Sequence, residues 1–60
     1  MKVGFIGLGA MGRHMARHLQ ESGNDMTVHD LRREAATHLL EAGAEWADTP
    51  KEVALKSEVI

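Results

Sequence analysis

The stretch that decides the fold is FIGLGAMGRHMARHL, from Phe5 to Leu19. A short apolar run leads into three glycines, Gly7, Gly9 and Gly12, and a pattern of helical period follows them. Glycine weakens the interior of strands and helices, so clustered glycines mark a place where the backbone bends or lies close to another group. The stretch therefore predicts a strand, a tight turn and a helix in succession.

The rest of the chain continues this alternation of strands and helices. Apolar runs of β-forming residues predict strands, apolar residues at helical spacing predict helices, and Gly23 and Gly43 mark helix ends. The predicted elements are a strand over 2–6, a helix over about 10–21, a strand over 26–30, a helix over 33–42, a short strand over 44–47, a helix over about 50–56 capped by Thr49, and the opening of a strand over 57–60. This order is typical of an α/β fold, here a Rossmann-type doubly wound parallel sheet covered by helices.

The composition is that of a small globular domain. Hydrophobic residues make up 43% of the 60 residues, and the formal net charge is −2. Such a charge lacks the basic excess that binding to nucleic acid or to an anionic membrane requires, so we expect neither partner. The chain has no cysteine, which excludes disulfides and thiolate metal sites. This composition fits a reducing compartment, and we expect a cytoplasmic protein.

The three glycines have the spacing of a dinucleotide-binding turn, Gly-x-Gly-x-x-Gly, between a strand and a helix. Gly7 permits the tight exit from the strand, Gly9 leaves room for a pyrophosphate, and Gly12 allows helix and strand to pack closely. The free N–H groups at the start of the helix attract phosphate. Asp30 ends the second predicted strand, where a carboxylate accepts hydrogen bonds from an adenosine ribose. We therefore predict dinucleotide binding; the alternative is a purely structural glycine turn.

Beyond the glycine spacing, Gly-Leu-Gly-Ala-Met-Gly over 7–12, followed by Met15 and Ala16, resembles the amino-terminal signature of the β-hydroxyacid dehydrogenases. That family includes 3-hydroxyisobutyrate dehydrogenase, tartronate semialdehyde reductase, 6-phosphogluconate dehydrogenase and related imine reductases. The similarity covers the whole chain, through 27–30, 43–44, 49–50 and 57–60. It implies an oxidoreductase that transfers hydride between a nicotinamide cofactor and a short 3-hydroxy acid or semialdehyde.

The motif and the resemblance together predict the residues that bind the cofactor. They are Gly7, Leu8, Gly9, Ala10, Met11, Gly12, Asp30 and Arg32. NADP-dependent relatives often carry Asn-Arg-Thr or Asn-Arg-Ser after the second strand, whereas this chain has Asp30, Leu31 and Arg32. The difference favours NAD as the cofactor, and Arg32 leaves NADP open as the alternative.

The family's catalytic groups have no counterpart in these 60 residues. The resemblance implies a catalytic lysine in a later helical domain and a glycine-rich substrate loop, so no catalytic residue is assigned in this chain. We expect residues 1–60 to be the amino-terminal part of a dinucleotide-binding domain, with the remainder and the catalytic domain outside it. The full-length protein is then expected to be a homo-oligomer acting on a small hydroxy acid. Alternatives are a non-catalytic dinucleotide-binding module and a flavin or methyl-donor domain, which the motif disfavours.

Histidines on the first helix and second strand have simpler interpretations than metal binding. His14 and His18 lie four residues apart, as two ligands on one helix face would. No third ligand accompanies them at a suitable spacing, so we predict no metal site and a solvated face. His29 is interpreted as a packed or hydrogen-bonded strand residue.

Two further sets of residues complete the predictions. Arg32 and Arg33 either begin the second helix in solvent or cradle the adenine or a 2′-phosphate. Met11, Met15 and Met26 are interpreted as core residues, since methionine fills irregular gaps between helix and sheet. Met11 also has an expected place beside the cofactor through its motif.

Overall fold

The computed structural model of the chain describes residues 1–9 and 11–60. Its elements, in chain order, are β1 (Lys2–Ile6), α1 (Gly12–Glu21), β2 (Asp25–His29), a 3-10 helix (Arg33–Ala36), α2 (Thr37–Glu41), β3 (Glu45–Trp46) and α3 (Pro50–Lys56). The predicted α/β fold class, with a parallel sheet, is confirmed. Among the described residues, no helix is long and apolar enough to cross a membrane.

β1 is the first strand of a three-stranded parallel sheet with the order β1-β2-β3. β2 pairs in parallel with β1 along its whole length, and β3 pairs with the far side of β2. On the other side of β1, Val59 forms a parallel bridge with Val3, and the N–H of Gly4 donates to the carbonyl of Val59 at 2.6 Å. The chain therefore places β2 and β3 on one side of β1 and then returns to the other side of β1 at Val59. Sheets of this kind bind ligands at the carboxyl ends of the strands next to such a switch.

The two faces of β1 contact different helices, because successive strand residues point to opposite faces. A Cβ on Gly4 would meet Val53 of α3 and the adjacent Ser57. The ring of Phe5, in contrast, lies 3.4 Å from the Cβ position of Gly12 at the start of α1. α1 and α3 therefore cover opposite faces of the sheet. The core on the α1 side is formed by Val3, Leu8, Ala16, Met26, Val28, Ala36 and Leu39.

α1 packs on the sheet through small residues. Ala16 is fully buried, whereas Met11 and Met15 are 80% and 59% exposed. The prediction that Met11 and Met15 are core residues is therefore wrong, while it is confirmed for Met26, which is buried in β2. The physical reason is that α1 meets the sheet with the face that carries Gly12 and Ala16. These short residues let the helix lie close to the strands, and the longer methionines beside them stay in solvent.

The helix predicted over 33–42 is divided into two parts. Its first turn, Arg33–Ala36, is a 3-10 helix, and α-helical geometry begins only at Thr37. Thr37 Oγ1 donates to the carbonyl of Glu34 at 2.9 Å. A side-chain bond of this kind competes with the backbone bonds of an α-helix, which favours the tighter turn before it.

The signals that end or begin the other helices are confirmed. Gly23 and Gly43 follow α1 and α2 with φ values of +93° and +106°, the left-handed conformation expected of a helix-ending glycine. Thr49 Oγ1 accepts the N–H of Glu52 at 3.2 Å and so caps α3. β2 spans Asp25–His29, one residue earlier at each end than the predicted strand over 26–30.

We expect Gly4→Ala to destabilise the fold. Its Cβ would lie closer to Val53 than the 3.0 Å that real Cβ atoms keep, and Val53 is fully buried. Overpacking of this kind costs about 1–3 kcal/mol. In a double-mutant cycle, Val53→Ala should relieve part of the clash, so the two changes together cost less than the sum of the single ones. Thermal melting of the full-length variants measures this; an unchanged melting temperature for Gly4→Ala would contradict the packing of α3 on β1.

Candidate cofactor site

Gly7 and Gly12 shape the turn between β1 and α1. Gly7 has a φ of +88°, a left-handed conformation that costs other residues roughly 1–2 kcal/mol. Its N–H donates to the carbonyl of His29 at 3.0 Å, which attaches the turn to the end of β2. A Cβ on Gly12 would collide with the carbonyl oxygen of Gly7. Gly12 is therefore required where α1 passes directly over the exit of the strand.

Gly9 faces open space at the start of α1. A Cβ on Gly9 would have no described atom within 4 Å, so packing does not explain the missing side chain. Its carbonyl accepts the N–H of Arg13 at 3.0 Å, which places it directly before the first helical turn. Met11 is the N-cap residue, and within the described chain no side chain caps the helix and no acid lies in its first turn. The positive end of α1 therefore faces a cradle that suits an anion such as a diphosphate.

The carboxylate of Asp30 lies beside the glycine turn. Oδ2 accepts the N–H of Leu8 at 2.6 Å, and Oδ1 accepts the N–H of Arg32 at 2.9 Å. The bond from Arg32, followed by the bond from Leu8, lowers the pKa of Asp30 below its usual 3.8, against a smaller opposing effect of desolvation. Asp30 is therefore ionised at neutral pH. The stabilisation from these bonds is present above the usual pKa and is lost as the pH falls through the lowered one.

A cleft of about 280 Å³ opens next to this carboxylate. It is lined by Ile6, Gly7, His29, Asp30, Leu31 and Pro50. The cleft lies at the carboxyl ends of β1 and β2, where parallel sheets bind their ligands. Leu31 is 98% exposed at its edge and offers apolar surface next to a charged acceptor, the combination typical of small-molecule sites. A larger cleft of about 560 Å³ lies at the amino ends of β1 and β2, away from the glycine turn, and its lining includes Lys2 and Lys56.

The two arginines after Leu31 are placed differently. Arg32 is exposed, and its backbone N–H binds the carboxylate of Asp30. The guanidinium of Arg33 lies 5.8 Å from the centre of the Trp46 ring, a cation–π distance. Trp46 is half-buried in the edge strand β3. Arg33 therefore packs against β3, and Arg32 stays beside the site.

The predicted cofactor residues lie on two neighbouring loops. Gly7, Leu8, Gly9, Met11 and Gly12 lie in the turn after β1 or at the start of α1, and Asp30 and Arg32 lie in the loop after β2. Ala10 lies outside the described residues. The bond between Leu8 and Asp30 joins the two loops. The side chain of Leu8 is only 3% exposed, so Leu8 reaches the site through its N–H, which nothing in the sequence pattern indicated.

The histidines are accounted for by solvent and packing. His14 and His18 are exposed on α1, and across residues 1–9 and 11–60 no group of three potential ligands is placed to hold a metal. Nδ1 of His29 lies 2.8 Å from the carbonyl of Ala47, and its ring centre lies 5.6 Å from that of Trp46. The interpretation of His29 as a packed, hydrogen-bonded residue is confirmed.

Comparison with known proteins relates this geometry to one family. Residues 2–60 match the family described as the NAD binding domain of 6-phosphogluconate dehydrogenase. The chain belongs to this family. The resemblance to the β-hydroxyacid dehydrogenases predicted from the sequence is thereby confirmed, and NAD(P) is the cofactor of the domain.

The named relatives of this NAD-binding domain are oxidoreductases. A probable mitochondrial 3-hydroxyisobutyrate dehydrogenase of Arabidopsis thaliana is 47% identical over 58 residues, 97% of this chain and 17% of that protein. The 3-sulfolactaldehyde reductase of Escherichia coli (strain K12) is 41% identical over 58 residues, 97% of this chain and 20% of that protein. A solved imine reductase from Pseudomonas sp. gives a TM-score of 0.91 at 37% identity, over 97% of this chain and 20% of that one. The chain thus spans about a fifth of the length of these relatives.

The residues of the site fit a dinucleotide. The open cradle at Gly9 and the uncapped start of α1 suit the diphosphate, and the ionised Asp30 suits the hydroxyls of an adenosine ribose. Each oxygen of Asp30 accepts one backbone N–H and keeps a further lone pair for a hydroxyl. The domain can therefore bind and orient the cofactor.

Proposed function

We propose that the full-length protein containing this chain is an NAD-dependent oxidoreductase that interconverts a short 3-hydroxy acid and its semialdehyde. The observation that carries the proposal is the Asp30 carboxylate, held 2.6 Å from the Leu8 N–H beside the glycine turn of an NAD-binding domain. Relatives named for 3-hydroxyisobutyrate and 3-sulfolactaldehyde support this substrate class. The bound cofactor supplies hydride chemistry, and the residues of this domain hold and orient it.

Steady-state assays of the purified full-length protein test the proposal. We expect NAD-dependent turnover with a short 3-hydroxy acid such as 3-hydroxyisobutyrate, or NADH-dependent reduction of a semialdehyde such as 3-sulfolactaldehyde. Cofactor binding without turnover of any hydroxy acid or semialdehyde would contradict it and favour the non-catalytic binding module. Turnover of imines alone would contradict it in a different way and group the protein with the imine reductase that its fold resembles.

The proposed preference for NAD rests on the charge of Asp30. A 2′-phosphate on the ribose would approach the ionised carboxylate with a like charge, and the hydrogen bond from the 2′-hydroxyl would be lost. Leu31 stands where NADP-dependent relatives often carry an arginine. Arg32 can offset part of the repulsion. We therefore expect kcat/KM to favour NAD over NADP by about tenfold or more, a preference rather than an exclusion.

Asp30→Asn should reduce this preference, mainly by improving the use of NADP, because the like charge is removed. Arg32→Ala is the matched control, which should increase the preference for NAD since a positive charge next to the ribose is lost. Both changes in cofactor preference are measured by comparing kcat/KM for NAD and for NADP in the wild type and in each variant. Equal use of NAD and NADP by the wild type would contradict the role given to Asp30.

We further propose that the full-length protein is cytoplasmic and that it forms a homo-oligomer. The cysteine-free sequence supports a reducing compartment, and the resemblance to the β-hydroxyacid dehydrogenases supports self-association. Cell fractionation and light scattering of the purified full-length protein test the two parts separately. Recovery in a membrane fraction would contradict the first part, and a monomeric mass would contradict the second.

A further inference from the structure

The glycine turn has few side-chain contacts of its own that could hold its backbone in place. Gly7 and Gly9 have no side chains, and a Cβ at either position would meet no described atom within 4 Å. Glycine also has more backbone freedom to lose than any other residue. A turn of this kind binds a ligand weakly if it must first become ordered, since the ordering opposes binding. Contacts that fix the turn before the ligand arrives therefore matter for affinity.

The structure shows three such contacts, made by the two consecutive residues Gly7 and Leu8. The side chain of Leu8 is buried in the core, the N–H of Gly7 donates to the carbonyl of His29 at 3.0 Å, and the N–H of Leu8 donates to Asp30 Oδ2 at 2.6 Å. The bond from Leu8 is the shorter of the two hydrogen bonds, and it joins residues 22 positions apart. A hydrogen bond to an ionised acceptor is about twice as strong as one between neutral groups.

The carboxylate is itself held in place. Its second oxygen accepts the N–H of Arg32 at 2.9 Å, a local turn that fixes the side chain toward the glycines. Asp30 therefore binds backbone on two loops at once. We infer that Asp30 is a positioning residue for the phosphate-binding turn, which it holds through the N–H of Leu8, in addition to its expected contact with the adenosine ribose. The inference rests on the proposed cofactor-binding function.

The two roles of Asp30 predict opposite effects on a ligand that has no ribose hydroxyls. If Asp30 served only the ribose, Asp30→Ala would leave the binding of such a diphosphate unchanged or would tighten it, because a negative charge near the phosphates is removed. If Asp30 positions the turn, the same change weakens binding, because the turn becomes disordered. The sign of the effect therefore separates the two roles.

The test uses the full-length protein and the ligands ADP and 2′,3′-dideoxy-ADP, measured by calorimetry. We expect Asp30→Ala to weaken the binding of 2′,3′-dideoxy-ADP by about fivefold or more. Asp30→Asn keeps one carbonyl acceptor for a backbone N–H and should lie between wild type and Asp30→Ala. Unchanged or tighter binding of the dideoxy ligand by Asp30→Ala would overturn the inference.

Hydrogen exchange of the ligand-free protein gives an independent measurement. In Asp30→Ala, amides of residues 7–9 should exchange faster, while those of the β1 and β2 interiors keep the wild-type rate and show that the fold is intact. Unchanged exchange in the turn would overturn the positioning role. If wild type binds no NADH, the proposed function fails instead, and the exchange measurement still decides whether Asp30 holds the turn.

Discussion

In the full-length protein, Gly9→Val is expected to abolish measurable binding of NADH while the ligand-free protein keeps its fold. The valine side chain would fill the cradle in front of α1, where the backbone must approach the diphosphate. Apart from its chain neighbours, no described atom lies within 4 Å of the Cβ position of Gly9, so a Cβ there meets no clash with the described core. Surface changes of this kind usually alter stability by no more than about 0.5 kcal/mol.

Titration of NADH fluorescence and thermal melting without ligand measure the two halves of this prediction. Gly9→Ala is the graded control, since one methyl group fills less of the cradle and should reduce affinity without abolishing it. Near wild-type affinity in Gly9→Val would show that the diphosphate does not lie against Gly9. A large loss of stability would show instead that the turn is packed differently.

Gly12→Ala is expected to have the opposite pattern, with its main effect on the fold. Alanine in a helix is favoured over glycine by about 1 kcal/mol, which alone would stabilise the protein. The new Cβ, however, would collide with the backbone carbonyl of Gly7, and overpacking against less yielding groups costs about 1–3 kcal/mol or more. We expect the clash to outweigh the helix preference, with a net loss of about 1 kcal/mol or more.

Thermal or chemical unfolding of the ligand-free full-length protein measures this loss. Gly9→Ala serves as the matched control, because it adds the same methyl group three residues earlier where space is open. A Gly12→Ala protein that is as stable as the wild type, or more so, would contradict the close passage of α1 over the exit of β1.

The order of elements was predictable because it depends on local patterns. The glycine turn, the left-handed Gly23 and Gly43 and the capping Thr49 each act within a few residues of their own position, so sequence spacing locates them. Asp30 was predictable as a site residue for the same reason, since it follows a recognisable strand. Its position beside the glycine turn depends on the parallel pairing of β1 with β2, which the alternation of strands and helices also indicates.

The features that were missed depend on distances between elements. Met11 and Met15 have the period of a buried face, yet the smaller Gly12 and Ala16 determine which side of α1 meets the sheet. The bond between Asp30 and Leu8 spans 22 residues and uses a backbone N–H, which has no sequence signature. The need for glycine at position 4 depends on α3 packing directly on β1, a contact between distant parts of the chain.

The most direct measurement is a crystal structure of the full-length protein with NAD bound. We predict that the diphosphate oxygens lie within hydrogen-bond distance, about 2.7–3.2 Å, of backbone N–H groups at the start of α1. The adenosine ribose hydroxyls should donate to Asp30, whose Oδ2 keeps its bond to Leu8. A diphosphate bound away from Gly9 and the start of α1, or an adenosine ribose with no contact to Asp30, would contradict the assignment of this site.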